Sequence, residues 1–358
     1  MAAPVADSYS CASGGLIAGG RYRLPLWARS AALNTWTEIA NTVPPGDCAI
    51  DGGWAGFAVK EINSELIIVA AGGHDASYDN GAYSIVLSAD SPSWVMRKSR
   101  TVTPQINVLY YPDGTPTSRH LYHYIHYIES MDAVLLAGCR YGYGGGTPTG
   151  PGMDLFDLAT NEYLPRYTYP DIPAGGDYGL VKDGQGRIWT ATGHRFDPSD
   201  ESWTATGATL DRFPAAYDSL RNVLFSLKWW DGQGFYEGYG MTATKVDVAT
   251  AETSTVTINA SAAYTAWMAS GPAYAAMDYD PDNDRFLFYH GGETGKVYVI
   301  TPNSGTAWDM SVLATSGTPA TAPASGAGIN KRFQYLPNLK GFVMLPKAGS
   351  NLWFLRTA

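Results

Sequence analysis

Charge is scarce in this sequence of 358 residues: Asp, Glu, Lys and Arg together make up 16%. Lys and Glu, which favour exposed helix surfaces, are thinly spread, and no long stretch of 3.6-residue apolar period occurs. A helical bundle or coiled coil is thereby excluded. The charge present sums to −9, which argues against general binding to nucleic acid or anionic membranes, since both select basic surfaces. No run of about 18 apolar residues exists, so no transmembrane helix is expected. The N-terminus, MAAPVADSYSCASGGLIAGG, lacks a basic segment followed by an apolar core and does not read as a secretory signal. The chain is therefore expected in the cytoplasm at synthesis. Cysteine is limited to Cys11, Cys48 and Cys139. Three is odd, and the spacing suits neither a zinc site nor a disulfide framework, so free thiols are expected.

What is abundant is turn chemistry. There are 40 Gly and 22 Pro against 45% apolar residues, the balance of a compact chain of many short strands. The stretch Glu61–Tyr83, EINSELIIVAAGGHDASYDNGAY, sets the pattern: an apolar strand at Leu66–Ala71, a double glycine, a histidine, a polar turn and a further strand from Ala82. Similar units begin near Phe57, Tyr124, Gly179, Ala216, Ala276 and Phe333. Each is a strand, a tight turn rich in Asp, Asn, Gly or Pro, and a second, more apolar strand. The apolar runs from Leu66 to Phe342 are separated by five intervals covering 276 residues, a mean of about 55, close to the period of blade-forming repeats.

A third strand follows each apolar one, at Ala82–Leu87, Met153–Leu158, His194–Asp197, Thr244–Ala249, Val297–Thr301 and Leu352–Arg356. A fourth carries a recurrent aromatic: Trp94, Tyr163, Trp203 and Trp308, with Ala251–Ile258 filling the slot without one. Four strands per repeat predicts an all-β chain, a single β-propeller of six four-stranded blades. The sixth repeat ends after three strands. Trp36 in NTWTEI matches the fourth-strand pattern, so the N-terminal strand at Asn34–Ala40 is expected to complete the C-terminal blade and close the ring, leaving no free sheet edge. Residues 1–33 stand outside the repeat, as an arm with a short strand at Tyr22–Leu26, and residues 34–358 form the propeller. A seventh blade from residues 1–33 is the alternative, without a repeat signature.

Gly72-Gly73-His74 with Tyr83 and Trp94, then Ser118-Arg119-His120 with Tyr127, Asp132 and Gly138, and finally Arg332, Tyr335, Pro337 and Leu339 resemble kelch-type propellers, the central domain of galactose oxidase included. The resemblance covers residues 34–358 and is a statement about fold, because propellers host enzymes, lectins and scaffolds alike. Only two repeats keep the double glycine, at Gly72-Gly73 and Gly291-Gly292. That departure resembles the divergent bacterial and bacteriophage branch.

Chemistry is expected on the face where loops join second to third strands and one blade to the next. Tyr78, Arg140, Tyr143, Trp229, Trp230, Tyr236, Trp267 and Arg332 fall there. Aromatic rings beside Asp, Asn and Arg suit sugars, whose C–H patches lie on rings and whose hydroxyls take polar groups. The alternative is that these rings pack back over the propeller. His120, His123 and His126 look like a cluster, but strand alternation puts His123 on the opposite side from the other two, so no metal site is expected. His120 is expected at the start of an innermost strand, at the channel mouth beside Arg119. Lys331 is assigned to the loop face with Arg119, Arg140 and Arg332. Copper-oxidase chemistry is rejected, because its two Tyr, two His and Tyr–Cys crosslink cannot be assigned to matching positions. No cofactor is expected.

Two functions follow. The first is a non-enzymatic recognition propeller that binds a glycan, a surface receptor or a partner protein, as a bacteriophage tail or capsid appendage would, with residues 1–33 attaching it to other virion proteins. The second is a lyase acting on a uronate-containing polysaccharide. It would use His120 as base, Tyr141 or Tyr143 as acid, and Arg119, Arg140 or Arg332 to neutralise the carboxylate, with Arg119, His120 and Tyr141 the favoured set.

Overall fold

A computed structural model describes residues 16–17, 21–46, 48, 55–72, 79–102, 104, 108–137, 152–173, 179–210, 214–227, 242–270, 275–322 and 328–358. Strands pair with their sequence neighbours in antiparallel meanders. Sheet 1 runs Ala58–Lys60, Glu65–Val69, Ala82–Val86 and Trp94–Lys98. Sheet 2 runs Ile125–Ile128, Ala133–Leu136, Asp154–Asp157 and Glu162–Tyr163. Sheet 3 runs Leu180–Lys182, Ile188–Thr190, His194–Asp197 and Ser202–Ala205. Sheet 4 is Ala215–Asp218, Val223–Leu227, Thr242–Asp247 and Thr253–Ile258. Sheet 5 is Ala276–Asp280, Arg285–Tyr289, Val297–Thr301 and Ala307–Leu313. Their outer strands meet in a short parallel pairing, Thr257 opposite Ala307 and Ile258 opposite Trp308, so sheets 4 and 5 form one eight-stranded sheet. Sheet 6 takes Phe333–Leu336, Gly341–Met344 and Leu352–Arg356 from the C-terminus. Its fourth strand is Trp36–Ile39, which pairs antiparallel with the last one, Leu355 opposite Trp36.

The chain is a β-propeller. The first strands of successive sheets lie side by side around a hub. The Phe57 N–H donates to Lys331 O (3.3 Å) and Gln334 Nε2 to Phe57 O (2.7 Å), joining sheet 6 back to sheet 1. The apolar clusters lie between sheets: one spans sheets 6, 1 and 2, and others span sheets 2 and 3, 3 and 4, 4 and 5, and 5 and 6. Among the described residues no helix is long and apolar enough to cross a membrane.

Each first-to-second-strand turn places one residue at positive φ just before the second strand: Ser64, Asp132, Gly186, Asn222, Asp284 and Lys340. A tight turn ending in a left-handed residue is a common way to close short hairpins, and Asp, Asn and Gly tolerate it best. Three of these residues do a second job. The hydroxyls of Tyr127, Tyr217 and Tyr279, each from a first strand, donate to Asp132 (2.9 Å), Asn222 (2.9 Å) and Asp284 (2.6 Å). In sheet 6 the left-handed residue is Lys340, so Tyr335 donates instead to Asp282 of sheet 5, which also pairs with Lys340.

The fourth-strand aromatics bind the sheet before them. Trp94 Nε1 donates to Thr42 O (2.7 Å), Tyr163 OH to Asn80 O (2.6 Å), Trp203 Nε1 to Pro170 O (3.1 Å) and Trp36 Nε1 to Gly295 O (3.0 Å). Sheet 4 has Val256 and no aromatic there. Trp308 of sheet 5 keeps its indole N–H within its own turn but lays its ring 4.9 Å from Phe225 of sheet 4.

The strand expected at Tyr22–Leu26 is not formed. Arg21–Tyr22 pairs with Leu16–Ile17, and a short helix, Leu26–Ser30, follows. This helix is docked rather than free: Ala28 is buried, the Trp27 ring meets Phe354 edge-on at 5.2 Å, and its indole donates to Ala89 O (3.1 Å). The helix Leu26–Ser30 thus packs across sheets 6 and 1.

Trp36 is 3% exposed and also packs on Tyr289 and Phe333. Trp36→Ala should destabilise the chain by about 3–5 kcal/mol, read from urea unfolding. A loss under about 1 kcal/mol would show that ring closure does not depend on this contact.

Candidate functional site

Of the residues expected to carry chemistry, Tyr78, Arg140, Tyr141, Tyr143, Trp229, Trp230 and Tyr236 lie outside the described residues. The other four are described, and all four are buried in architecture. Arg119 is fully buried and donates to Asp154 at 2.6 Å, whose other oxygen accepts from Tyr110 OH (2.8 Å). His120 is 6% exposed, its Nδ1 3.0 Å from Tyr122 OH. It does not open a strand, since the first strand of sheet 2 begins at Ile125. Arg332 is 1% exposed and donates to three carbonyls, Gly328 (2.6 Å), Ile329 (3.2 Å) and Pro346 (3.1 Å). Trp267 sits in a helix, Ala262–Ser270, and is wholly buried against Phe288, His290 and Tyr298. Its ring belongs to the core between sheets 4 and 5 and not to a ligand face.

The Gly72–Asn80 region is also structural where described. A Cβ on Gly72 would lie 2.3 Å from Asp79 N, so only glycine fits. Asp79 accepts from Gly81 N (2.6 Å) and Tyr83 OH (3.3 Å), and Asn80 Nδ2 reaches Thr101, Thr115 and Pro116.

The structure brings a different set together. A cavity of about 500 Å³ occupies the hub. Every first strand contributes to it, through Val59, His126 and Tyr127, Lys182, Tyr217, Asp278 and Tyr279, and Gln334 and Tyr335. Glu61, Glu129, Asp183, Ser219, Pro281 and Pro337 also line it. All six belong to first-to-second-strand turns, so the cavity is a cup opening among those turns. Its far end holds His123 and Lys331, each just ahead of a first strand. The four tyrosines commit their hydroxyls to turn side chains, so what they offer the cup is ring.

Two contacts cross the far end of the hub. His123 has a backbone hydrogen bond with Ala275, at the entry to sheet 5. His126 Nε2 lies 2.9 Å from Leu180 O, which only accepts, so Nε2 carries the proton. Nδ1 is then the acceptor for Lys331 Nζ at 2.7 Å. Nζ is also 2.9 Å from Nε2, but the hydrogen there is committed to Leu180. The expectation that His123 and His126 face opposite ways fails because period-two alternation requires continuous strand. Tyr122 has φ +38° and the strand starts only at Ile125. No metal-holding group of His, Cys, Asp or Glu occurs among the described residues.

The electrostatics follow from burial. Burial, then the Lys331 charge, hold His126 well below its ordinary range and His123 down to about 3. Burial and the nearby Lys182 charge hold the Lys331 amine well below the usual lysine range, opposed by Asp278. The Asp278 carboxyl is pushed up to about 6 by burial, although Tyr335 and Tyr279 N–H groups donate to it. Sequence reading missed the hub because Asp278 sits in an ordinary first strand. Lys331 was assigned to the loop face through its neighbour Arg332. The available signal was that Tyr127, Lys182, Tyr217 and Tyr335 all stand third in their first strands, a polar ring around one axis.

No family model and no curated protein matches the sequence. Similar solved structures include YjhT, 12% identical over 88% of this chain and 94% of that one with a TM-score of 0.48. A gluconolactonase from Xanthomonas campestris is 11% identical over 91% and 99%, with a TM-score of 0.45. A chain of a mitotic checkpoint complex is 10% identical over 99% and 96%, with a TM-score of 0.44.

His123 gives a pH prediction. Between its ordinary 6.5 and about 3 the unfolded chain binds a proton that the folded one refuses. The associated stability is therefore present above about pH 6.5 and lost as pH falls through that window. Asp278 acts oppositely, costing stability as pH rises from 3.8 to about 6. Comparing each protein with itself at pH 7 and pH 4.5 separates the two. His123→Asn should shrink the acid-induced loss of unfolding free energy by about 2 kcal/mol. An unchanged loss would mean that His123 takes up its proton in the folded state.

Proposed function

We propose that this chain is a non-enzymatic recognition propeller of six four-stranded blades, of kelch type, that binds a saccharide in its hub cup. The observation that carries this reading is the cup itself: about 500 Å³, walled by Tyr127, Tyr217, Tyr279 and Tyr335 and lined between them by Lys, His, Asp, Glu and Gln side chains. Its volume falls within the range of small-molecule pockets, and ring walls with interspersed polar groups suit a ligand that alternates C–H patches with hydroxyls. The six-blade count is supported by the four separate sheets and the two halves of the eight-stranded one. The lyase reading draws less support, since the two described members of its catalytic set, Arg119 and His120, are buried and held by Asp154 and Tyr122. Attachment to a larger assembly would then fall to the residues ahead of the docked helix Leu26–Ser30.

A screen of mono- and disaccharides by calorimetry or ligand-observed NMR tests the cup. Tyr217→Ala, at its half-buried wall position, should weaken binding about 10-fold or more. Arg119→Ala should instead cost several kcal/mol of stability, because it strands a buried carboxylate, while leaving the affinity of the folded protein unchanged. Binding that survives Tyr217→Ala but disappears in the Trp229→Ala, Trp230→Ala double variant would move the site to the loop face and overturn the hub assignment.

A further inference from the structure

The charged groups of the cup are unequally satisfied. Asp183 accepts from Gln185 and Arg187 N–H groups and from the Arg187 and Trp189 side chains. Glu129 is paired with Lys182 at 2.5 Å. Asp278 accepts from two backbone N–H groups. Lys331 differs: among the described residues no carboxylate lies within 4 Å of its Nζ, and its side-chain partner is the neutral imidazole of His126. The amine lies 2.7 Å from His126 Nδ1, and Lys331 lines the cavity. An amine at the end of a cup, with no carboxylate within 4 Å among the described residues and with tyrosine rings along the walls, has a definite chemical complement.

We infer that the cup selects an acidic sugar, a monosaccharide-sized ring bearing a carboxylate or phosphate, whose anionic group binds Lys331 while the ring lies among the tyrosines. The inference rests on the saccharide reading and narrows it. An ammonium-to-anion hydrogen bond is about twice as strong as a neutral one and gains further in a partly desolvated site. The anion would also add a counter-charge close to the amine, and binding would draw a proton onto it. Lys182, His123, His126, Asp278, Glu61, Glu129, Asp183 and the four tyrosines are the other titratable groups lining the cup, and of the two lysines only Lys182 has a carboxylate within 4 Å among the described residues.

Isothermal titration of the full chain with glucuronate, galacturonate and glucose 6-phosphate, each beside glucose and galactose, tests this. At least one acidic sugar should bind about 10-fold or more tightly than its neutral parent. The carboxylate and phosphate arms tell which anion is preferred. Lys331→Met should abolish the preference, bringing acidic-sugar affinity to that of the neutral parent in the same variant, whereas Lys331→Arg should retain the preference. Thermal unfolding checks that each variant folds. For the wild type, the binding enthalpy should differ between imidazole and triethanolamine buffers, which carry no anionic group, by an amount that reports proton uptake, and that difference should vanish in Lys331→Met. Equal affinity for acidic and neutral sugars, or an acidic preference that survives Lys331→Met, overturns the inference and leaves the saccharide reading standing. Failure of every sugar to bind the folded wild type overturns both.

Discussion

The aromatic on the outermost strand of a sheet, reaching back to a backbone carbonyl beside the sheet before it, is the contact on which the ring depends. Sheets related by rotation about a hub share no backbone ladder, so something must fix their angle. Trp94, Tyr163, Trp203 and Trp36 each do so with one hydrogen bond and a large ring. A donor that would otherwise be buried without a partner makes the geometry specific as well as favourable. The exception shows the same constraint. At the seam between sheets 4 and 5, Trp308 keeps its indole N–H within its own turn and meets Phe225 with its ring alone, and there the outer strands of the two sheets close on each other as a parallel pair.

Much of this was legible in the sequence because the repeat is written in residues whose conformational reasons are local. The turn residues Asp132, Asn222, Asp284 and Gly186 are types that accept positive φ. The third strands at His194–Asp197, Val297–Thr301 and Leu352–Arg356 have the bounds expected for them. Trp36 could be matched to the fourth-strand pattern from 300 residues away because a ring leaves one slot open. The helix Leu26–Ser30 was not legible. Its five residues carry too little period to announce a helix, and docking through Trp27 and Ala28 decides its conformation.

The site was far less legible, for a geometric reason. Loops rich in Tyr, Trp and Gly attract attention in a sequence, while a hub is assembled from single residues about 50 positions apart, each ordinary in its own strand. Arg119 and Arg332 looked available because charge in a loop usually is. Yet one neutralises Asp154 in the interior and the other ties down three carbonyls. His123 and His126 were separated by assuming a continuous strand, and the left-handed Tyr122 undoes that assumption.

The same turns that build the fold also prepare the hub for chemistry. Asp132, Asn222 and Asp284 take the tyrosine hydroxyls, which removes those donors from the cup and leaves ring surface. Backbone N–H groups take Asp278, and Lys182 takes Glu129. What the architecture leaves unspent is the Lys331 amine. A buried lysine whose nearest side-chain partner is a neutral imidazole is costly to the fold. Methionine or leucine at position 331 would fill the same space without that cost. A lysine kept where an apolar side chain would serve the fold as well is what the proposed contact with an anionic ligand would account for.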